Sequence, residues 1–159
     1  MLPFKTILFA TDFSSTSDVA FTVAAALARD YRARVVALYV IEPVRAGFSE
    51  FNSYVGPEED KGWALDKLHA IKSPSPHVTI EYRLLEGDPA ALISEAAAEL
   101  KADLVVMGTH GRTGFTRLVM GSVAENVLRR APCPVLTVRG MVAVADEEKS
   151  EEVPEVLSI

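Results

Sequence analysis

Four residues between two predicted elements have the types and the spacing of an anion site: Gly108, Gly111, Gly121 and Ser122. The first two follow the apolar segment Asp103–Met107, which predicts a strand, and the last two open a segment with the apolar period of a helix. A glycine-rich connection of this kind leaves backbone N–H groups free to face an anion, and the helix dipole adds partial positive charge there. The stretch therefore predicts a site for a phosphate-bearing ligand, of which a nucleotide is the expected kind.

The side chains around these glycines leave alternatives open. Ser122 can donate its hydroxyl to a phosphate oxygen, or it can cap the helix that it begins, because Glu125 completes a capping box. The glycines can allow close approach of the backbone to a ligand, or they can simply form turns. Arg112 and Arg117 could neutralise phosphate charge, although exposed loop arginines are commonly just solvated. His110 could do the same, but without a histidine or carboxylate beside it in the loop, it is better interpreted as a backbone-positioning or surface residue.

A second polar segment follows the first predicted strand, where Asp12 enters a run rich in serine and threonine. Its carboxylate can accept hydrogen bonds from the N–H groups of a helix start or from a ribose hydroxyl, and the two roles are compatible. Thr11 would present its backbone to a planar base more readily than its side chain. In open parallel sheets, ligands lie beyond the carboxyl ends of the strands, where the strand order reverses. If the first and fourth strands are neighbours, Asp12 and Gly108 face each other across one crevice.

These segments require a framework of alternating strands and helices. Apolar, β-branched runs predict strands at Lys5–Ala10, Arg34–Ile41, Val78–Leu85, Asp103–Met107 and Pro134–Arg139. Helical patterns separate them at Ser15–Tyr31, at Glu58–Ile71, after Gly87-Asp88-Pro89, and from Ser122 to Arg130. This alternation is typical of an α/β fold in which helices cover a parallel sheet.

Capping residues indicate where the helices begin. Ser15 and Asp18 have capping-box spacing at the start of the first helix. The third helix has Asp88 as a predicted N-cap, followed by a first-position proline, Pro89. The pattern of the second helix is interrupted by Gly62.

Composition limits the classes of function. The chain of 159 residues suits one domain with a substantial core. Its 16 Lys plus Arg against 22 Asp plus Glu give a net charge of −6, which argues against non-specific nucleic-acid binding and a membrane-surface role. We expect a cytoplasmic protein, because the N-terminus lacks a signal pattern and no apolar run approaches membrane-spanning length. The single cysteine, Cys133, excludes an intramolecular disulfide and is interpreted as a small core or loop residue.

Two segments fall outside the alternation. Glu42–Pro57 contains three aromatic residues and predicts a long loop that could cover the ligand. The C-terminal segment mixes a short apolar piece with acidic runs, which is typical of a solvated, poorly ordered tail, although the apolar piece could lie against the domain or a partner subunit. The expected organisation is one domain over residues 1–140 and a flexible acidic tail over 141–159.

The motifs of several familiar enzyme classes are absent. The sequence has no Gly-x-x-x-x-Gly-Lys-Ser/Thr, no Gly-x-Gly-x-x-Gly after the first strand and no Gly-x-Ser-x-Gly. No nucleophile with an identifiable base is present, so no catalytic residue and no protein-borne metal site is assigned.

The residues described above resemble the universal stress protein family, in particular its ATP-binding branch. Members of that branch carry Gly-x-x-Gly, nine residues, then Gly-Ser/Thr, and Gly108, Gly111, Gly121 and Ser122 fit that spacing. The resemblance includes the opening Ile-Leu-Phe-Ala-Thr-Asp-Phe-Ser and the closing Gly-Ser-Val-Ala-Glu-Asn-Val-Leu-Arg-Arg-Ala-Pro-Cys-Pro-Val-Leu-Thr-Val. It extends over roughly residues 3–139 and leaves the acidic tail outside.

This resemblance implies an open five-stranded parallel sheet of order 3-2-1-4-5 that binds ATP, with Mg²⁺ or Mn²⁺ on the phosphates and no carboxylate ligand identified for the ion. It places Thr11, Asp12 and Val40 at the adenine and ribose end, Met107 and Gly108 beside the ribose, and Gly111, Arg112, Gly121, Ser122 and Val123 along the phosphates. It also implies a homodimer through antiparallel pairing of the last strand, Pro134–Arg139. Such pairing would cover an exposed apolar edge.

One position departs from the family pattern. Many members have proline just before the first-strand aspartate, whereas this chain has Thr11, which leaves the selectivity for adenine open. The preference among ATP, AMP and a cyclic nucleotide is open as well.

Three hypotheses follow. The leading one is an ATP-binding stress-response or signalling module in which nucleotide occupancy changes the loop Thr109–Met120, and through it the dimer or a partner surface. The second is a slow ATP hydrolase or autophosphorylating enzyme with Ser122 or a nearby hydroxyl as a candidate acceptor. The third is a nucleotide-free structural dimer, which the intact glycine motif disfavours.

Overall fold

A computed structural model describes residues 4–43, 57–109 and 120–140, and for residues 57–60 it describes the backbone only. Within these ranges the chain forms five strands and four helices in strict alternation. The strands are β1 (Thr6–Ala10), β2 (Arg34–Ile41), β3 (Ile80–Glu86), β4 (Leu104–Gly108) and β5 (Val135–Val138). The helices are α1 (Ser15–Tyr31), α2 (Pro57–Ala70), α3 (Pro89–Glu99) and α4 (Ser122–Arg130).

All neighbouring strands are parallel, and their order is β3-β2-β1-β4-β5. The predicted fold class and strand order are therefore confirmed. Ala10, the last residue of β1, lies opposite Leu38 of β2 and Met107 of β4. The chain runs outward from β1 to β3 and then crosses back to β4, so the order reverses between β1 and β4. The crevice anticipated from the sequence lies at that reversal.

The central strands are buried on both faces, as continuous apolar runs in a parallel sheet require. Leu8 and Ala10 of β1 face a core formed with α3 and α4, whereas Ile7 and Phe9 face a core formed with α1 and α2. Two helices thus cover each face of the sheet, which places the β1 and β4 ends at the centre of its carboxyl edge.

Helix α1 packs close to the sheet through a stripe of small residues. Ala20, Ala24 and Ala28 lie four residues apart on one helix face and are fully buried. The first turn of α1 also touches the end of β4, because a Cβ placed on Gly108 would lie 2.9 Å from Thr16 Cγ2. Gly108 therefore has a packing reason to be glycine that sequence reasoning did not find.

The predicted element ends differ from the structure by at most two residues. Arg34–Ile41 is a strand as predicted, and α1 and α4 have the predicted bounds. The α1 cap was predicted one residue too late, because Ser14 has the extended conformation of an N-cap and accepts a 3.2 Å hydrogen bond from Ser17 N. Helix α2 continues through Gly62, whose added Cβ would meet no atom within 4 Å. The tail 141–159 and most of the predicted loop Glu42–Pro57 lie outside the described residues.

Candidate functional site

A cavity of about 570 Å³ opens at the carboxyl edge of the sheet, within the range of roughly 300–1,000 Å³ that is usual for small-molecule pockets. It extends from the end of β2, across the end of β1, to the end of β4 and the first turn of α4. Side chains from α1, α2 and α3 complete its walls. The cavity therefore occupies the reversal point of the strand order.

Most of the predicted site residues line this one cavity. The structure brings together Thr11, Asp12, Val40, Met107, Gly108, Gly121, Ser122 and Val123. The other three predicted residues, His110, Gly111 and Arg112, lie outside the described residues. The binding roles of all eleven stay predictions, but the eight described ones share a single pocket although they come from four separate elements or loops.

One hydrogen bond joins the two glycine-containing segments at the β4 end of the cavity. The N–H of Gly121 donates to the carbonyl of Thr109 over 2.7 Å, and the N–H of Thr109 donates to the carbonyl of Val138 over 2.9 Å. The chain therefore leaves the sheet after Thr109 and returns to the same point at Gly121. This closure sets the end of β4 directly beside the start of α4.

The start of α4 has no side-chain cap. Gly121 is the N-cap, with φ −64° and ψ 150°, and makes no side-chain cap, while its carbonyl accepts from the N–H of Glu125 over 3.0 Å. The predicted capping role of Ser122 is therefore wrong, because Ser122 is already the first helical residue. The amides of Ser122, Val123 and Ala124 belong to the first turn, whose N–H groups have no acceptor within the helix, and all three residues line the cavity.

Asp12 is held in a fixed orientation by the start of α1. Its Oδ1 accepts hydrogen bonds from Ser14 N over 3.0 Å and from Ser17 Oγ over 2.7 Å. The predicted loop-orienting role of this carboxylate is therefore observed, and the residue lines the cavity as well. The hydroxyl of buried Thr11 is used in the same turn, since it accepts from Phe13 N over 3.0 Å.

The β2 end of the cavity has an aromatic wall that sequence reasoning missed. Phe13 has a positive φ of 61°, and its ring lies 4.5 Å from the ring of Tyr39 and 5.5 Å from that of Trp63. Both Tyr39 and Trp63 line the cavity. The only sequence signal was the presence of a single tryptophan in a polar helical segment, and nothing local shows which way it faces.

Charge is distributed unevenly along the cavity. Asp12 and Glu42 are acidic, and no lysine or arginine is among the described residues that line it. In the described part of the wall, the source of positive potential is therefore the set of backbone amides at the start of α4.

Cys133 lies outside the cavity, at the margin of the core that contains α3 and α4. Burial raises the pKa of its thiol, and the nearby negative charge of Asp103 raises it further. The thiol therefore stays protonated at neutral pH, which agrees with its interpretation as a packing residue.

No helix in the described ranges is both long enough and apolar enough to cross a bilayer.

Comparison with known proteins gives a consistent result. The sequence pattern of the Universal stress protein family matches residues 3–139. A universal stress protein of Methanocaldococcus jannaschii is 36% identical over 148 residues, covering 86% of this chain and 82% of the relative. One of Thermus aquaticus is 38% identical over 143 residues, covering 86% of this chain and 99% of the relative. A solved universal stress protein in complex with cAMP is 27% identical with a TM-score of 0.62, covering 88% of this chain and 100% of that one. On this evidence the chain belongs to the universal stress protein family.

Proposed function

We propose that this protein is a stress-response or signalling module that binds ATP in the cavity at the carboxyl edge of the sheet. The observation that carries the proposal is the convergence of Gly108, Gly121 and the first-turn amides of α4 on one wall, closed by the hydrogen bond from Gly121 N to Thr109 O. Backbone amides at a helix start are a recurrent way to bind phosphate.

The difference between the two ends of the cavity supports one orientation of the nucleotide. The α4 end presents amides and the small residues Gly108, Gly121 and Ser122, whereas the β2 end presents aromatic rings and the carboxylate of Glu42. A triphosphate is repelled by carboxylates and attracted by amide dipoles, so the phosphates belong at α4 and the base at β2. Asp12 lies between the two ends, where a ribose would sit.

The relative in complex with cAMP supports an adenine nucleotide as the ligand class. For this chain we favour ATP, because the glycine spacing resembles that of the ATP-binding branch. Nucleotide binding would change the segment between Thr109 and Gly121, because the two ends of that segment are joined at the proposed phosphate site. Through this segment, binding would alter the dimer or a partner surface.

A divalent ion is proposed to accompany the triphosphate. Among the described residues, no three His, Cys, Asp or Glu side chains are grouped so that they could hold a metal ion. Mg²⁺ commonly keeps several waters and takes few protein ligands. We therefore propose that the ion is held by phosphate oxygens of the nucleotide and by water.

We also propose a homodimer through β5 and its flanking residues, Pro134–Arg139. Strand β5 lies at the end of the sheet order, where one of its edges has no neighbouring strand within the described part of the chain. Its apolar residues Val135, Leu136 and Val138 are only half-buried. Antiparallel pairing with a second copy would satisfy that edge and cover these side chains.

Native mass spectrometry of freshly purified protein tests both proposals in one experiment. We expect the mass of two chains with up to two ligand increments, and the ligand released on denaturation should have the mass of ATP. If AMP or a cyclic nucleotide were released instead, that nucleotide would be the ligand, and the proposed site would stay the same. A protein that shows no ligand increment even after incubation with ATP and Mg²⁺ would contradict nucleotide binding, and a single-chain mass would contradict the dimer.

A further inference from the structure

We infer that Trp63 stacks against the base of the bound nucleotide, so that a side chain of α2 determines how tightly this chain holds the base. The inference rests on the proposed function and assigns a ligand contact to a residue outside the glycine motif.

The position of Trp63 places it at the base end of the cavity. It lines the cavity together with Tyr39 and Glu42, at the end of β2. Strands β2 and β4 are separated by β1 alone, and neighbouring strands lie about 4.8 Å apart, so the two ends of the cavity are separated by roughly 10 Å. A nucleotide spans a comparable distance between its base and its first phosphate. A ligand whose phosphates lie at α4 therefore brings its base to Trp63.

The ring of Trp63 is positioned by neighbours in α2, in β2 and in the loop after β1. Phe13 meets it edge to face with 5.5 Å between ring centroids, and Tyr39 does so at 6.4 Å. Lys67, one helical turn further on, holds its Nζ 5.9 Å from the centre of the indole. Because these contacts already restrict the indole, little conformational freedom is left to lose when a base stacks on it.

The exposed aromatic surface of Trp63 favours a planar occupant, and the acidic wall disfavours a phosphate. Trp63 is 44% exposed although it lines a cavity, so a large part of its apolar surface remains in contact with water. The carboxylate of Glu42 disfavours phosphate at this end of the cavity, and Lys67, the cation near the indole, is not among the residues that line it. A purine covers an aromatic ring without bringing charge, and each base stacked on an aromatic side chain contributes measurably to affinity.

Calorimetric titration with ATP tests the inference with three variants. Trp63→Ala should weaken ATP binding by about tenfold to a hundredfold, the usual loss when one aromatic–base stack is removed. Trp63→Phe should retain most of the affinity because it keeps an aromatic face. Leu65→Ala is the matched control, since Leu65 lies on the same helix, is 41% exposed and does not line the cavity, and its ATP affinity should equal that of the natural protein. Inorganic tripolyphosphate should bind Trp63→Ala and the natural protein equally.

The fluorescence of the natural protein provides a second readout, because Trp63 is the single tryptophan of the sequence. Its emission should change during an ATP titration with the same midpoint as the calorimetric curve, and tripolyphosphate should leave it unchanged. Equal ATP affinity in Trp63→Ala and the natural protein, or unchanged emission at saturating ATP, would overturn the inference while leaving the proposed function intact. Absence of ATP binding to the natural protein would overturn both.

Discussion

The two ends of the cavity are built in different ways. At the α4 end, the wall consists of main chain and small residues, and its geometry is set by Gly121 and by the hydrogen bond to Thr109. At the β2 end, the wall includes the large side chains of Tyr39 and Trp63, and the ring of Phe13 contacts both from the loop after β1. In the proposed binding mode, the first end would act through backbone dipoles and the second through aromatic surface.

This difference explains why the α4 end could be found from local sequence features, whereas the aromatic wall of the β2 end could not. Amides at a helix start need only glycine, a small residue and a helix that begins at the right place, and all three are local features of the sequence. An aromatic wall depends on which helix packs beside which strand. The proposed division of labour is that the α4 end selects phosphate and the β2 end selects the base.

We expect the largest loss of ATP affinity from Gly121→Val, which alters the α4 end of the cavity. The φ of −64° and ψ of 150° at Gly121 are accessible to valine, so the backbone is not strained, and the weaker N-cap costs about 1 kcal/mol or less of unfolding free energy. The added branched side chain stands beside the first-turn amides, and we expect ATP affinity to fall at least about tenfold, equal to 1.4 kcal/mol. Calorimetry measures the affinity, and thermal unfolding checks the fold.

The two ends of the cavity are best compared by measuring how Gly121→Val binds the two parts of ATP separately, as tripolyphosphate and as adenosine. Tripolyphosphate binding should be lost, whereas adenosine binding should remain, which is the reverse of the pattern expected for Trp63→Ala. If both variants weakened both half-ligands to the same extent, the two ends would not act separately and the assigned orientation would be wrong.

Features that depend on neighbouring residues could be predicted from the sequence, whereas features that depend on contacts between distant residues could not. The α/β class and the element positions were predictable, because periodicity and turn residues act over a few neighbouring positions. The cap of α1 was misplaced by one residue, since the run Ser14–Ser17 offers several hydroxyls and Asp12 selects among them through its bonds to Ser14 and Ser17. Trp63 was missed because its partner rings lie 24 and 50 positions earlier in the sequence, at Tyr39 and Phe13.

Asp12 lies between the two ends, and paired substitutions separate its structural role from its ligand role. Asp12→Ala removes the acceptor for Ser14 N–H and for the Ser17 hydroxyl, so we expect the unfolding free energy to fall by about 1–2 kcal/mol. Asp12→Asn keeps an oxygen acceptor and should retain nearly all of that stability.

Asp12→Asn should nevertheless weaken ATP binding several-fold, because an amide replaces one carboxylate oxygen that a ribose hydroxyl would use. Urea unfolding and calorimetry on the same preparations provide the two measurements. Unchanged ATP affinity in a folded Asp12→Asn protein would restrict this carboxylate to its role in the loop.

The smallest expected effect on ATP affinity is at Gly108. Variants at this position test whether glycine is needed there by the fold or by the ligand. An added Cβ would lie 2.9 Å from Thr16 Cγ2, so Gly108→Ala should lower the unfolding free energy by about 1 kcal/mol through overpacking. Thr16→Ala removes that methyl group, and the double variant should recover most of the loss. Gly62→Ala is the matched control, because its Cβ meets nothing within 4 Å and alanine favours a helix, so it should gain about 0.5–1 kcal/mol.

Chemical unfolding of the four proteins in the Gly108 and Thr16 cycle measures their coupling directly. A double variant as unstable as the sum of the two single variants would show that Thr16 is not the reason for glycine at position 108. With the contact relieved, the ATP affinity of the double variant isolates what Gly108 contributes to the ligand. We expect that contribution to be smaller than at Gly121, since the atoms nearest to the new Cβ belong to α1 rather than to the first turn of α4.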